Sequence, residues 1–145
     1  MRGKTSVLSV MLLVALTSVI SCGGEGGSTP DPSSTPPVIS NLIYDPSSTT
    51  LNQGGGAVPI SFYIDFSDSG GDIASMTFDS YHPPSTTPYF TITLPLNGAS
   101  GAKSGTIFWT MTYDTTAINT DNFEIYITDS GGSRSNILTG TMTTN

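Results

Sequence analysis

Four aspartates, Asp65, Asp68, Asp72 and Asp129, stand on or beside glycine-bearing segments. Clustered carboxylates with nearby carbonyls suit calcium, which takes about six to eight oxygen ligands. The spacing of Asp65, Asp68 and Asp72 is not that of an EF-hand loop, and Asp with Gly also dominates β-turns through local hydrogen bonding. Calcium at these four is therefore weighed against plain turn chemistry. Tyr63, Tyr81, Tyr89 and Tyr126 fall on the polar side of extended segments among serines and threonines. That setting suits a surface for stacking on a glycan or contacting a protein, although tyrosine is also a good strand former.

Signals for catalysis are sparse. His82, the single histidine, lies in Tyr81-His82-Pro83-Pro84-Ser85, and the chain has no G-x-S-x-G elbow to supply a nucleophile beside it. One histidine and one cysteine rule out a His-rich hydrolytic zinc site and a Cys-ligated zinc site. Glu124 is the one glutamate of the C-terminal domain and falls mid-strand, so paired carboxylates for glycoside hydrolysis have no support. No catalytic residue is assigned, and a non-enzymatic domain is expected.

These residues sit on a chain whose apolar pattern has period two. Val58, Ile60, Phe62, Ile64 and Phe66 alternate with a mixed face across 57–66; Pro59 on that mixed face suits an edge or a strand start. Ile107, Trp109, Met111 and Tyr113 repeat the pattern with Phe108 outward, and Phe123, Ile125 and Ile127 do so again. Weaker runs at 38–44, 73–78, 89–96 and 136–142 bring the strand count to seven. Turn signals separate them at 45–48, 52–56, 68–72, 97–101 and 129–133, and Asp-Ser-Gly-Gly occurs twice. Thr115 to Thr120 suits one helical turn. The expectation is an all-β fold: a single seven-stranded antiparallel β-sandwich over residues 38–145, with Trp109 in its core.

The N-terminal part is built differently. Arg2 and Lys4 precede an apolar run over 7–20, the charged and hydrophobic regions of a secretory signal, too short to span a bilayer comfortably. Residues 23–37, GGEGGSTPDPSSTPP, have linker composition and would reach about 50 Å fully extended or roughly 20 Å as a coil. Between them lies Val19-Ile20-Ser21-Cys22, holding the single cysteine of the 145 residues. This stretch resembles a bacterial lipobox. The resemblance implies a signal peptide over 1–21, diacylglyceryl modification of the Cys22 thiol, cleavage before it and acylation of the freed amine, with fatty acids such as palmitate as the anchor. Gly23 after the cysteine implies the outer membrane by the enteric sorting rule. A lone cysteine also excludes a disulfide framework, so the domain must stand on its own core.

Cleavage before Cys22 would leave Lys103 and Arg134 against eleven acidic residues, a net charge of −9. Phosphate backbones are bound by clustered Lys and Arg, so nucleic acid is excluded as a partner, and the acyl chains would hold the protein at the membrane alone.

A second resemblance covers residues 38–145. Pro37-Val38-Ile39 with Tyr44-Asp45-Pro46, the segment 66–72, and Phe123 through Ser135 together resemble a bacterial immunoglobulin-like or fibronectin type III-like module, with Gly132 where asparagine is usual. It implies a sandwich whose B–C, D–E and F–G loops share one end, gathering Asp68 and Asp72, with Asp65 just below, beside Asn97 and Asp129. The combined reading is a lipid-anchored envelope lipoprotein with a binding or display domain; the alternatives are a glycan-associating module and a structural envelope protein packing against partners. Calcium is the only cofactor candidate, and the protein or glycan partner is unidentified.

Overall fold

The computed structural model describes residues 35–49, 56–115 and 118–145. The signal segment, Cys22 and the linker up to residue 34 lie outside the described residues. Eight strands form, in order β1 (Val38–Asp45), β2 (Ser48–Thr49), β3 (Ala57–Ser67), β4 (Ile73–Tyr81), β5 (Phe90–Pro95), β6 (Ser104–Asp114), β7 (Asn119–Asp129) and β8 (Leu138–Thr144). All seven strands expected from the alternation are present. The eighth, β2, is a two-residue addition that pairs in parallel with the end of β8. Of the helical turn expected over 115–120, residues 116 and 117 lie outside the described residues, and Asn119 and Thr120 belong to β7, whose ladder pairs Thr120 with Thr143 and Asp121 with Met142.

The strands form two sheets, β1-β3-β6 and β2-β8-β7-β4-β5. Apart from β2 all pairings are antiparallel. This is an all-β sandwich in which the fourth main strand, β5, pairs with β4 and does not join the sheet of β3 and β6. The long strands turn their apolar rows inward, while Val38 and Ile43 of β1 stay exposed. Ile60, Phe62, Ile64, Met76, Phe78, Phe123, Ile125 and Ile127 have no measurable exposure, and Trp109 is buried against Phe62. Pro59 lies in the central strand of its sheet, opposite Thr112. It is tolerated because β1 reaches only Ser61, so at Pro59 β3 has a neighbour on one side alone.

Two glycines shape the core. Gly105 lies opposite Phe66 and Gly140 opposite Phe123, one such pair in each sheet. A Cβ at Gly105 would sit 3.0 Å from the Phe66 ring, and one at Gly140 would overlap the Phe123 ring. Each aromatic ring fills the space that the missing side chain leaves on its neighbour.

Side chains close one seam between the sheets. The Asn136 amide accepts from the Ile39 N–H and donates to the Ile39 carbonyl, both at 2.9 Å, as a partner strand would. The Tyr44 hydroxyl donates to the Thr141 carbonyl at 3.0 Å and accepts from its N–H at 3.2 Å. These bonds occupy backbone groups that edge strands otherwise leave open.

Gly140→Ala is expected to lower unfolding free energy by about 1–3 kcal/mol through overpacking against Phe123. Gly56→Ala, whose Cβ would meet nothing within 4 Å, should change it by less than about 0.5 kcal/mol. Urea denaturation of both variants checks the contrast.

Candidate functional site

Both Asp-Ser-Gly-Gly segments fold into the same turn. After β3, the Gly71 N–H donates to the Asp68 carbonyl at 3.2 Å and the Asp72 N–H to the Asp68 carboxylate at 2.8 Å. After β7, the Gly132 N–H donates to the Asp129 carbonyl at 3.2 Å and the Ser133 N–H to the Asp129 carboxylate at 2.7 Å. Gly71 and Gly132 occupy the equivalent place with φ of 67° and 89°, the left-handed region where glycine carries no Cβ penalty. The aspartate terminates each strand by bonding the backbone of its own turn.

The turns and the β5–β6 connection share one end of the sandwich, as expected for these loops. Gly101 N–H donates to the Gly71 carbonyl at 2.7 Å, Asp68 N–H to the Lys103 carbonyl at 2.8 Å, and Ser130 N–H to the Asp72 carbonyl at 2.9 Å. Asp68, Asp72 and Asp129 are therefore brought to one end, all three buried, whereas Asn97 on the same connection is exposed. Asp65 is not with them. Its carboxylate lies on the outer face of the β1-β3-β6 sheet, accepting from Thr106 Oγ1 at 2.6 Å and Asn41 Nδ2 at 2.8 Å. Those bonds, Thr106 first, hold its pKa below the usual value. Among the described residues no three His, Cys, Asp or Glu side chains are placed to share a metal ion.

The tyrosines divide among three places. Tyr63 is on the outer face of the β1-β3-β6 sheet, 4.8 Å from Phe108 and beside the exposed Ile43. Tyr81 and Tyr126 share the outer face of the other sheet, with the Arg134 guanidinium 3.3 Å over the Tyr126 ring. Tyr89 stacks on His82 at 3.8 Å in the β4–β5 connection. On the Tyr81 side a groove of about 780 Å³ runs over β4, β7 and β8. Tyr81, Asn122, Glu124, Thr139 and Thr141 line it, with Ser85 and Thr86 leaning in from the β4–β5 connection. Tyr81 donates to Glu124 at 3.1 Å, and burial, followed by the Glu124 carboxylate, pushes its hydroxyl up to about pKa 12. The lining contains no basic side chain, so the groove presents hydroxyls, amides and one carboxylate.

A further cluster lies at the end opposite the two turns. Asp121, 1 % exposed, accepts from Tyr113 and from Tyr89 at 3.1 Å on one carboxylate oxygen. Its other oxygen accepts from Asn119 Nδ2 at 3.0 Å and contacts His82 Nδ1. Burial first, and then the Asp121 carboxylate, raise the Tyr113 hydroxyl above its ordinary pKa. A carboxylate behind an imidazole is two-thirds of a hydrolytic triad. Here, however, two tyrosines and an asparagine also spend their protons on Asp121, and the hydroxyl of Ser85 in the histidine's own loop donates to the Thr87 carbonyl at 3.0 Å. The arrangement clamps the β4–β5 connection to the start of β7. Asp121 went unmarked in the sequence, yet a signal exists: the inward row of β7 runs Asp121, Phe123, Ile125, Ile127, Asp129 and starts and stops on an aspartate.

No protein-family model matches this chain, and no curated protein matches it.

Asp121→Ala leaves the buried Tyr113 hydroxyl without an acceptor, a loss of about 1–3 kcal/mol, and removes a hydrogen bond worth about 1 kcal/mol from the half-exposed Tyr89. It should therefore destabilise by roughly 2–4 kcal/mol. His82→Ala should lose less than about 1 kcal/mol, because the histidine side chain is 48 % exposed and its contact with Asp121 is made at the solvent edge. Chemical denaturation of the two variants distinguishes this clamp from a site centred on the histidine, in which their order of effect would have no reason to hold.

Proposed function

We propose that this chain is a lipid-anchored envelope protein whose sandwich domain binds or displays without catalysis. The lipobox-like Val19-Ile20-Ser21-Cys22 and the linker after it support the anchor. One observation about the domain carries the rest of the reading. Val38 pairs with Ser67, so the chain enters the sandwich at the end that holds the two Asp-Ser-Gly-Gly turns. The Tyr81 and Asn122 side of the groove lies toward the opposite end, where those residues pair with each other. Strands of 11 residues advance about 35 Å at 3.2–3.4 Å per residue, so a tether at the first end would hold the groove away from the lipid surface.

A glycan-associating role is the second reading, and the groove favours it. With Glu124 as its one charged side chain and a mature net charge of −9, the domain repels anionic ligands. Threonine, serine, asparagine and carboxylate oxygens beside a tyrosine ring suit a neutral polyhydroxylated ligand, which needs hydrogen-bonding edges and one flat apolar face.

Cys22→Ser is expected to abolish acylation and move the protein from the membrane fraction to the soluble one. Retention of the variant in membranes would sink the anchor reading. For the groove, Glu124→Ala or Tyr81→Ala should weaken retention on neutral polysaccharide by about tenfold, the equivalent of about 1.4 kcal/mol, while retention equal to the parent protein removes the glycan reading.

A further inference from the structure

Not every carboxylate oxygen at the tether end has a partner. Both oxygens of Asp68 are engaged, by the N–H groups of Gly70 and Asp72. Asp72 Oδ2 accepts from Ser130 Oγ at 2.6 Å, and Asp129 Oδ1 accepts from the Ser133 N–H. Asp72 Oδ1 and Asp129 Oδ2 accept nothing, although both atoms are buried and their residues are only 4 % and 3 % exposed. The two residues are held together through one serine: Ser130 follows Asp129 in the chain and bonds Asp72 with both its N–H and its hydroxyl. Ile73 and Asp129 are also direct partners across β4 and β7.

Burying a carboxylate without compensation is strongly unfavourable. The basic side chains on neighbouring loops do not supply it. Arg134 is over the Tyr126 ring, Lys103 is exposed, and His82, in contact with Asp121, is at the other end of the domain. We propose that Asp72 and Asp129 hold a calcium ion between the two Asp-Ser-Gly-Gly turns. Calcium tolerates irregular coordination and fills its shell with carbonyls, hydroxyls and water, which would complete it around the two free carboxylate oxygens. Asp68 is then a positioning residue that fixes the Asp72 backbone, and Asp65, on an outer sheet face, has no part in the site. A cation here would brace the end at which the chain enters the domain.

The test is thermal unfolding and titration calorimetry of the full chain with calcium chloride, against the same protein in EDTA. Extracellular calcium modules bind with dissociation constants of about 0.1–1 mM. About 10 mM calcium should therefore raise the melting temperature by roughly 5–15 °C with one saturable binding event. Asp72→Asn and Asp129→Asn, which keep the shape of the turns, should each lose the calcium-dependent shift, while Asp65→Asn should retain it. Identical melting in calcium and EDTA with no binding heat would overturn the proposal, and so would an equal shift with magnesium or an undiminished shift in both site variants. The comparison in calcium and EDTA uses the unaltered protein, so a variant that fails to fold does not blunt the test.

Discussion

The packing of Phe62 against both sheets is the contact on which the rest of the domain depends. Its ring stacks on Trp109 at 4.8 Å within its own sheet and meets Phe78 and Phe123 edge-on at 5.6 Å across the sandwich. Tyr44 from β1 completes the set at 5.8 Å from Phe62 and 5.1 Å from Phe123. Rings in offset and edge-to-face contact add to the area they bury, and with a single cysteine in the chain the two sheets are joined by packing and hydrogen bonds. The glycines follow from this. Phe123 can occupy its place because Gly140 has no side chain, and a ring of that size could not lie flat on a neighbour that carried one.

The ends of the sandwich are set by a different rule. Where the apolar row of β7 runs out, an aspartate takes the next inward place at each end, and the two ends treat it differently. Asp121 is surrounded by donors from four other residues, two of which, Tyr89 and His82, come from the connection that crosses that end. Asp129 and Asp72 are met by fewer donors than they have oxygens. A buried carboxylate with every lone pair served is a fastener, whereas one with an oxygen to spare keeps capacity for a ligand. The same residue type on one strand therefore supports two different roles, and only its neighbours separate them.

Much of the architecture was legible in the sequence because strands and turns have local signatures. Alternation places Ile60, Phe62 and Ile64 on one face whatever they later touch, and the Asp-Ser-Gly-Gly segments end β3 and β7 through bonds within five residues of chain. The same locality limits what could be read of the site. Asp65, Asp68 and Asp72 look like one group along the chain, but the alternation of β3 turns Asp65 to an outer sheet face and leaves Asp68 at the strand's buried end. The four tyrosines likewise share a residue type and a polar side, yet strand pairing distributes them over two opposite sheet faces and one loop.

Antiparallel strands around an aromatic and aliphatic core, and the lipobox-like setting of Cys22 after an apolar run, follow from the order of residues alone. They do so because period-two burial, turn chemistry and short motifs are written in adjacent residues. Three features emerge with folding alone: Asp121 is clamped by His82, Tyr89, Tyr113 and Asn119, Ser130 ties Asp72 to Asp129, and a polar groove opens beside Tyr81 and Glu124. Those contacts join residues separated by as many as 58 positions, and they exist because the pairing of β4 with β7 and the packing of two sheets set the register between them.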